Sequence, residues 1–318
     1  MEALEVLQPG AFTTIQDLGR YGYQKYGVSI SGAMDRFALR IANLLVGNEE
    51  GEAAMEATVV GPKLKALQDS RLAFGGADLS PAINGNPAPM WRALKIQAGD
   101  VISFGLPKGG CRAYLAIAGG IDIPLVMGSR SIHTRSNLGG KGRALLKGDV
   151  LAVRDPGRRQ AEKIPYYQMP PDRVPVYGGD WRVRVILGPQ KDYFTRRGID
   201  TFLHHEYRIT PQADRMGYRL QGPKIEHKTG ADILTDATPP GSVQVPGDGM
   251  PIILLADGQT TGGYSKIGVV ASVDQDLLAQ AKPGDRVRFQ RVTIQDAHGL
   301  LLEREKTIRA IAEAFIAI

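Results

Sequence analysis

Two cations in the second half of the chain, Arg215 and Lys266, are of the kind that holds a carboxylate or a phosphate. Two carboxylates in the same region, Asp214 and Asp248, are placed to orient a donor or move a proton. Asp248 and Lys266 belong to one run, GSVQVPGDGMPIILLADGQTTGGYSKIG over residues 241–268, in which two loops crowded with glycine and uncharged polar side chains bracket a single apolar segment. Gly247, Gly249, Gly258, Gly262 and Gly263 permit positive φ and leave backbone N–H groups uncovered, so a polar or anionic ligand can come close. The amides of Gly262 and Gly263 could cradle an oxyanion, with Gly249, Gln259, Thr260, Thr261 and Tyr264 as further ligand contacts. The competing reading is an ordinary strand with mobile turns, and for Asp214–Arg215 a salt bridge or turn network at a domain junction.

Other chemistries find little support. Gly139-Gly140-Lys141-Gly142-Arg143 is too short for a phosphate-binding loop and lacks the hydroxyl that would hold magnesium. The pair His204-His205 beside Glu206 does not set two ligands one helical turn apart, and His133, His227 and His298 are scattered, so no metal is expected. No Gly-x-Ser-x-Gly elbow occurs, which disfavours a Ser-His-Asp hydrolase. There is no Met-Lys dipeptide, so any biotin would have to arrive on a separate carrier. A net charge of +6 is spread along the chain without aromatic-basic alternation, which argues against nucleic acid as a partner.

The elements that must carry these residues are mostly strands. The 318 residues, 43% of them apolar, suffice for two domains. No run approaches the roughly 18 apolar residues of a membrane span, and the acidic start Met1-Glu2-Ala3-Leu4-Glu5 does not read as a leader, so a cytoplasmic protein is expected. The single cysteine, Cys111, fits a reducing compartment and reads as a small core residue. Residues 71–74, 100–104, 112–117, 181–187, 251–256 and 286–289 are short, apolar and bounded by turn formers. Asp35 is a good N-cap for a helix with an apolar stripe at Phe37, Ala38, Ile41, Leu44 and Leu45, ending at Gly47. A second long helix is expected over residues 297–318, with shorter helical pieces near 192–198 and 274–281.

A faint internal echo pairs residues 60–64 with 221–225, and residues 98–104 with 283–289, in the same order. Two related β domains would produce it, over residues 1–153 and 179–318. The basic and proline-rich stretch over residues 154–178 reads as the linker between them.

The N-terminal constellation runs from Thr14-Ile15-Gln16-Asp17-Leu18-Gly19-Arg20 to Gly27-Val28-Ser29-Ile30-Ser31-Gly32-Ala33-Met34-Asp35. Together with Phe74-Gly75-Gly76-Ala77-Asp78, Ala118-Gly119-Gly120-Ile121, Gly188-Pro189-Gln190, residues 214–220 and the glycine-rich run, it resembles the allophanate hydrolase subunit 2 family, also called the biotin-dependent carboxyltransferase family. That family takes in the carboxyltransferase region of urea carboxylase and the C subunit of bacterial 5-oxoprolinase. The resemblance implies a mainly β protein with a few helices, made of two cyclophilin-like β-barrel domains in tandem. It adds Asp17, Arg20, Ser31, Gly32, Asp35 and Tyr218 to the substrate-binding candidates. Stand-alone members of this length look like the subunit that opens 5-oxo-L-proline to L-glutamate with ATP, alongside 5-oxoprolinase subunits A and B, the ATP being bound by or shared with those partners. Two further roles are implied by the same resemblance. One is the carboxyltransferase component of a biotin-dependent urea carboxylase-like or allophanate hydrolase-like system, and the other is a non-catalytic regulator that binds the KipI-like partner of the pair.

Overall fold

Alternation settles the strand WRVRVIL: Trp181, Val183 and Val185 are buried on one face while Arg182 points to solvent. In the computed structural model, which describes residues 1–154, 167–179 and 181–316, this strand, Trp181–Leu187, is one stave of a closed seven-stranded barrel. Around the barrel follow Lys266–Val270, Ser242–Gln244, Ile252–Leu254, Gly217–Gln221, Tyr207–Ile209 and Arg286–Arg291, which closes on Trp181–Leu187 as a parallel neighbour. Tyr207, Tyr218, Val243, Ile253, Ile267 and Val287 are among its buried side chains. A two-stranded ribbon, Asp232–Ala237 with Thr261–Tyr264, forms a separate sheet beside it.

The chain divides into two compact units, one of Met1–Arg20, Ser31–Tyr177 and Thr307–Ile318, the other of Tyr21–Ile30 and Gly178–Lys306. The barrel and its ribbon belong to the second. The first unit has two sheets, one ordered Val150–Ala152, Glu2–Gln8, Lys63–Ala66, Val101–Ser103, Ala82–Ile83, Asn86–Pro87. The other is ordered Phe12–Gln16, Ala54–Thr58, Gly109–Ile117, Ser70–Asp78, Ala93–Ile96. One core of this unit gathers Leu4, Val6, Ile15, Met55, Leu64, Phe74 and Leu115. A second core seats the helix Arg36–Leu45 through Ala38, Leu39, Ile41 and Leu45 against Trp91 and Tyr114. Asp35 caps that helix by accepting from Ala38 N at 2.9 Å, as its sequence signal requires.

The expected linker over residues 154–178 lies in part outside the described residues, at 155–166. Its second half is packed: Tyr167 and Met169 are buried in the first unit, with Ala93 N donating to Tyr167 O and Met169 N to Trp91 O. Apolar residues among the prolines give this stretch something to bury, which composition averaged over the segment conceals. The final helix, Ile294–Ile316, starts ahead of the expected residue 297.

The echo between the halves resolves into one true pair and one false one. Gly99 and Gly284 both have φ of +95°. Asp100 N donates to Gln97 O and Asp285 N to Lys282 O, each at 3.0 Å. Asp100 also accepts from Gln97 N, as Asp285 does from Lys282 N. The two turns are the same device feeding the strands Val101–Ser103 and Arg286–Arg291. By contrast, Lys63-Leu64 opens the strand Lys63–Ala66, whereas Gly222-Pro223-Lys224 follows the strand Gly217–Gln221. The Gly-Pro-Lys likeness is therefore a coincidence of turn composition.

The run Gly139–Arg143 has a structural use. Asp149, almost fully buried, accepts from Arg143 Nη1 and Nη2 at 2.7 and 2.8 Å, from Lys141 Nζ at 2.6 Å and from Leu146 N at 2.8 Å. These bonds, led by that from Arg143, hold its carboxyl far below the usual carboxylate range. Asp149→Asn is expected to cost about 2 kcal/mol of stability at neutral pH, the scale of hydrogen bonds to a charged group. A depressed native pKa contributes fully above the unfolded value near ~4 and is lost as pH falls toward the native one. Urea melts of both proteins should therefore show the gap narrowing progressively below about pH 4. A gap that stays constant down to pH 2 would refute this assignment.

Candidate functional site

Burying an ammonium is costly unless a counter-charge comes with it. Lys266 opens the barrel strand Lys266–Val270 and is 3% exposed, and its Nζ donates to Asp236 Oδ2 at 2.7 Å. Asp236 stands on the ribbon outside the barrel, its side chain 49% exposed. Gln190 Nε2 donates to the same oxygen at 3.2 Å, and Gln190 Oε1 accepts from Lys266 N at 3.4 Å. The Lys266 hydrogen bond draws the Asp236 carboxyl below its ordinary value.

Across the barrel wall, Gln244 is the register partner of Lys266, so the two side chains leave the same face. Gln244 is buried and its Nε2 has no hydrogen-bond partner. The ribbon covers it at Gly262, where an added Cβ would stand 2.5 Å from Gln244 Nε2, so only glycine lets the ribbon approach this closely. Lys266, Gln190 and Gln244 thus form a donor-rich seat, and the carboxylate of Asp236 sits in it. Such a set can hold a carboxylate or an oxyanion.

The remaining candidates of the second unit fall into distinct positions. Arg215, buried, donates through Nε to Asp257 Oδ2 at 2.8 Å and through Nη2 to Asp257 Oδ1 at 3.1 Å. Its partner is thus Asp257, not its neighbour Asp214. Asp214 Oδ1 accepts from Met216 N at 2.8 Å, and Asp248 Oδ1 from Met250 N at 2.9 Å, so each exposed carboxylate caps its own turn. The Tyr218 hydroxyl donates inside the second unit to Ala281 O at 3.0 Å. Gly249 holds a φ of +78° beside Lys224. The carbonyls of Gln259 and Thr260 accept from Thr238 Oγ1 and N, anchoring the start of the ribbon strand that carries Thr261, Gly262, Gly263 and Tyr264.

In the first unit, the Asp17 carboxylate is saturated by Ser129 Oγ at 2.7 Å, Ser131 Oγ at 2.5 Å, Arg130 N at 2.6 Å and Gly19 N at 2.8 Å. Arg20 is buried and donates to Ser131 O. Asp35 uses one oxygen for its helix and the other to accept from the Tyr177 hydroxyl at 2.8 Å. Ser31 is buried at a φ of +57° with its hydroxyl unpartnered, next to Gly32 at +86°. Burial of the Tyr114 phenol, which donates to Glu56 at 2.7 Å, pushes its pKa well up.

Among the described residues no three or more His, Cys, Asp and Glu side chains gather as metal ligands. His204 and His205 bond instead to the carbonyls of Asp200 and Thr201. Among the described residues no helix is long and apolar enough to cross a membrane.

Comparison with known proteins places this geometry in context. The carboxyltransferase domain family, subdomain A and B, matches residues 26–291. The chain is 37% identical over 295 residues to the C subunit of 5-oxoprolinase from Escherichia coli (strain K12), covering 92% of this chain and 93% of that protein. It is 35% identical over 303 residues to the protein of the same name from Haemophilus influenzae, covering 95% of each. In three dimensions it is similar to the crystal structure of Kluyveromyces lactis urea carboxylase, with a TM-score of 0.90 at 32% identity over 97% of this chain and 29% of that one.

Proposed function

The chain belongs to the carboxyltransferase domain family, subdomain A and B, and from that membership we propose that it is the C subunit of a cytoplasmic, ATP-dependent 5-oxoprolinase that opens 5-oxo-L-proline to L-glutamate together with subunits A and B. The observation that carries this reading is coverage in both directions. This chain and its Escherichia coli relative account for nearly all of one another, at 92% and 93%. Against Kluyveromyces lactis urea carboxylase the chain corresponds to 29% of a longer polypeptide. A free-standing chain of this extent fits one component of a multi-chain complex.

The chemistry is compatible with the donor seat. Amide resonance opposes the opening of a five-membered lactam, and ATP supplies the driving force by activating the carbonyl. The residues of this chain then have to orient the substrate and stabilise negative charge. Lys266, Gln190 and Gln244 supply fixed donors for that purpose. No Gly-x-x-x-x-Gly-Lys-[Ser/Thr] loop occurs in the sequence, and the cations at Lys141 and Arg143 serve Asp149. The ATP site is accordingly assigned to the partner subunits or to a junction with them.

The TM-score of 0.90 to urea carboxylase supports a second reading, a carboxyltransferase component that receives its carboxyl group from biotin on another protein. Reconstitution separates the two. The chain alone should release no glutamate, and the chain with subunits A and B should convert 5-oxo-L-proline and ATP to glutamate without bicarbonate or a biotinylated carrier. Absence of glutamate from an assembled mixture defeats the first reading. Dependence on bicarbonate and the carrier favours the second.

A further inference from the structure

A buried lysine usually receives its counter-ion from the core element it sits on, but Lys266 receives one from outside. The carboxylate facing it belongs to Asp236, on the two-stranded ribbon that shares no sheet with the barrel. About half of the Asp236 side chain is in water, while Lys266 and Gln244 are almost wholly withdrawn from it. The barrel side of this contact is permanent and the ribbon side is removable.

The seat is also larger in donors than its occupant uses. Asp236 Oδ2 takes the Lys266 ammonium and the Gln190 amide. Gln244 Nε2 stays without an acceptor although it is buried on the face it shares with Lys266. A buried amide left unmade costs on the order of 1–3 kcal/mol, so a position that keeps one calls for an explanation. A ligand carboxylate differs from Asp236 in one relevant way: it is not tethered to a ribbon strand, so both of its oxygens can turn toward donors.

We infer that Lys266, Gln190 and Gln244 form a carboxylate-recognition seat which Asp236 fills in the unliganded chain, and that a small carboxylic acid substrate binds by displacing Asp236. Gln244 is the specificity-determining member, because it is the donor held in reserve for the second oxygen. Gly262 is the ribbon position that leaves room for that amide. That the acid is 5-oxo-L-proline rests on the function proposed above; the seat itself does not.

Titration of the full chain by calorimetry tests this, with acetate, 5-oxo-L-proline and the carboxamide of 5-oxo-L-proline as probes. Asp236→Asn removes the internal competitor and keeps a neutral acceptor for Lys266. It should bind both carboxylates about tenfold more tightly than the wild type does, while the carboxamide gains nothing. Gln244→Leu should weaken both carboxylates about tenfold and leave the carboxamide unchanged. Thermal melts, and Asp236→Ser as a second substitution, guard against a folding defect. Equal carboxylate affinity in wild type and Asp236→Asn, or no carboxylate binding by either, overturns the inference. So does an equal gain for the carboxamide. If acetate gains and 5-oxo-L-proline does not, the seat stands and the oxoprolinase assignment falls. If the assembled complex turns over 5-oxo-L-proline but Asp236→Asn changes neither binding nor KM, the assignment stands and the seat falls.

Discussion

Lys266→Met is expected to lower glutamate formation by the assembled complex by at least about 100-fold, the scale set by removing one preorganised donor from a reaction centre. The fold should tolerate the change. Methionine matches the length of the lysine stem and suits a site where the side chain is 4% exposed. The partner left behind, Asp236, is half in water and keeps the Gln190 amide and Ala237 N as donors. No charge is stranded in a dry interior, so the melting temperature should move by only a few degrees. Lys266→Arg should rescue little, since a planar guanidinium cannot enter a space shaped around a slender ammonium stem. The check is turnover measured alongside retention of subunits A and B on an affinity-tagged chain. An intact complex whose Lys266→Met form works within threefold of wild type would remove this lysine from the reaction.

How far the sequence could be read depended on how far apart the interacting residues are. The strand Trp181–Leu187 matches its alternation residue for residue, because solvent and core alternate along one short segment. The helix from Arg36 was legible from its cap and stripe, both local. The mainly β fold and the family emerged from ordered motifs. The site did not emerge as completely, because its key relations are between strands. Gln244 lies inside the glycine-rich run that drew attention to Lys266, but only the register of a closed barrel sets them side by side. Asp236 sits in Leu234-Thr235-Asp236-Ala237, a stretch with no turn or charge pattern to mark it. Gln190 was visible as part of Gly188-Pro189-Gln190 but carried no role until its amide was seen bridging Asp236 and the Lys266 backbone.

Segment membership was illegible for a related reason. Tyr21–Ile30 sits early in the chain yet clusters with the second unit, where Ser29 Oγ donates to Gly258 O at 2.7 Å. A reading that moves along the chain assigns a segment to its neighbours in sequence. Packing assigns it to whatever offers the better surface and the free carbonyl. The same bias made Asp214 look like the natural companion of Arg215, since adjacent opposite charges invite pairing on paper. Successive side chains in an extended segment point away from one another, and the guanidinium turns to a carboxylate 42 residues further on.

That pairing gives the largest expected effect on stability. Arg215→Ala leaves Asp257 buried without its cation, a loss of about 3–5 kcal/mol by comparison with broken buried pairs, and roughly 10 °C in melting temperature. Arg215→Lys should recover only part of this, because a single ammonium cannot reproduce two parallel bonds to both carboxylate oxygens. The pair also fixes a loop, for Asp257 N donates to Arg215 O at 2.9 Å and the next residue, Gly258, receives Ser29. Arg215 is accordingly a positioning residue whose guanidinium is engaged by protein. The double substitution Arg215→Met with Asp257→Leu removes both charges at once, and buried pairs replaced in this way often keep or regain stability. Melting temperature and turnover in the assembled complex should return together in that variant. If the melting temperature returned and turnover did not, the guanidinium would have to touch the substrate, and Arg215 would move from the scaffold into the reaction centre beside Lys266.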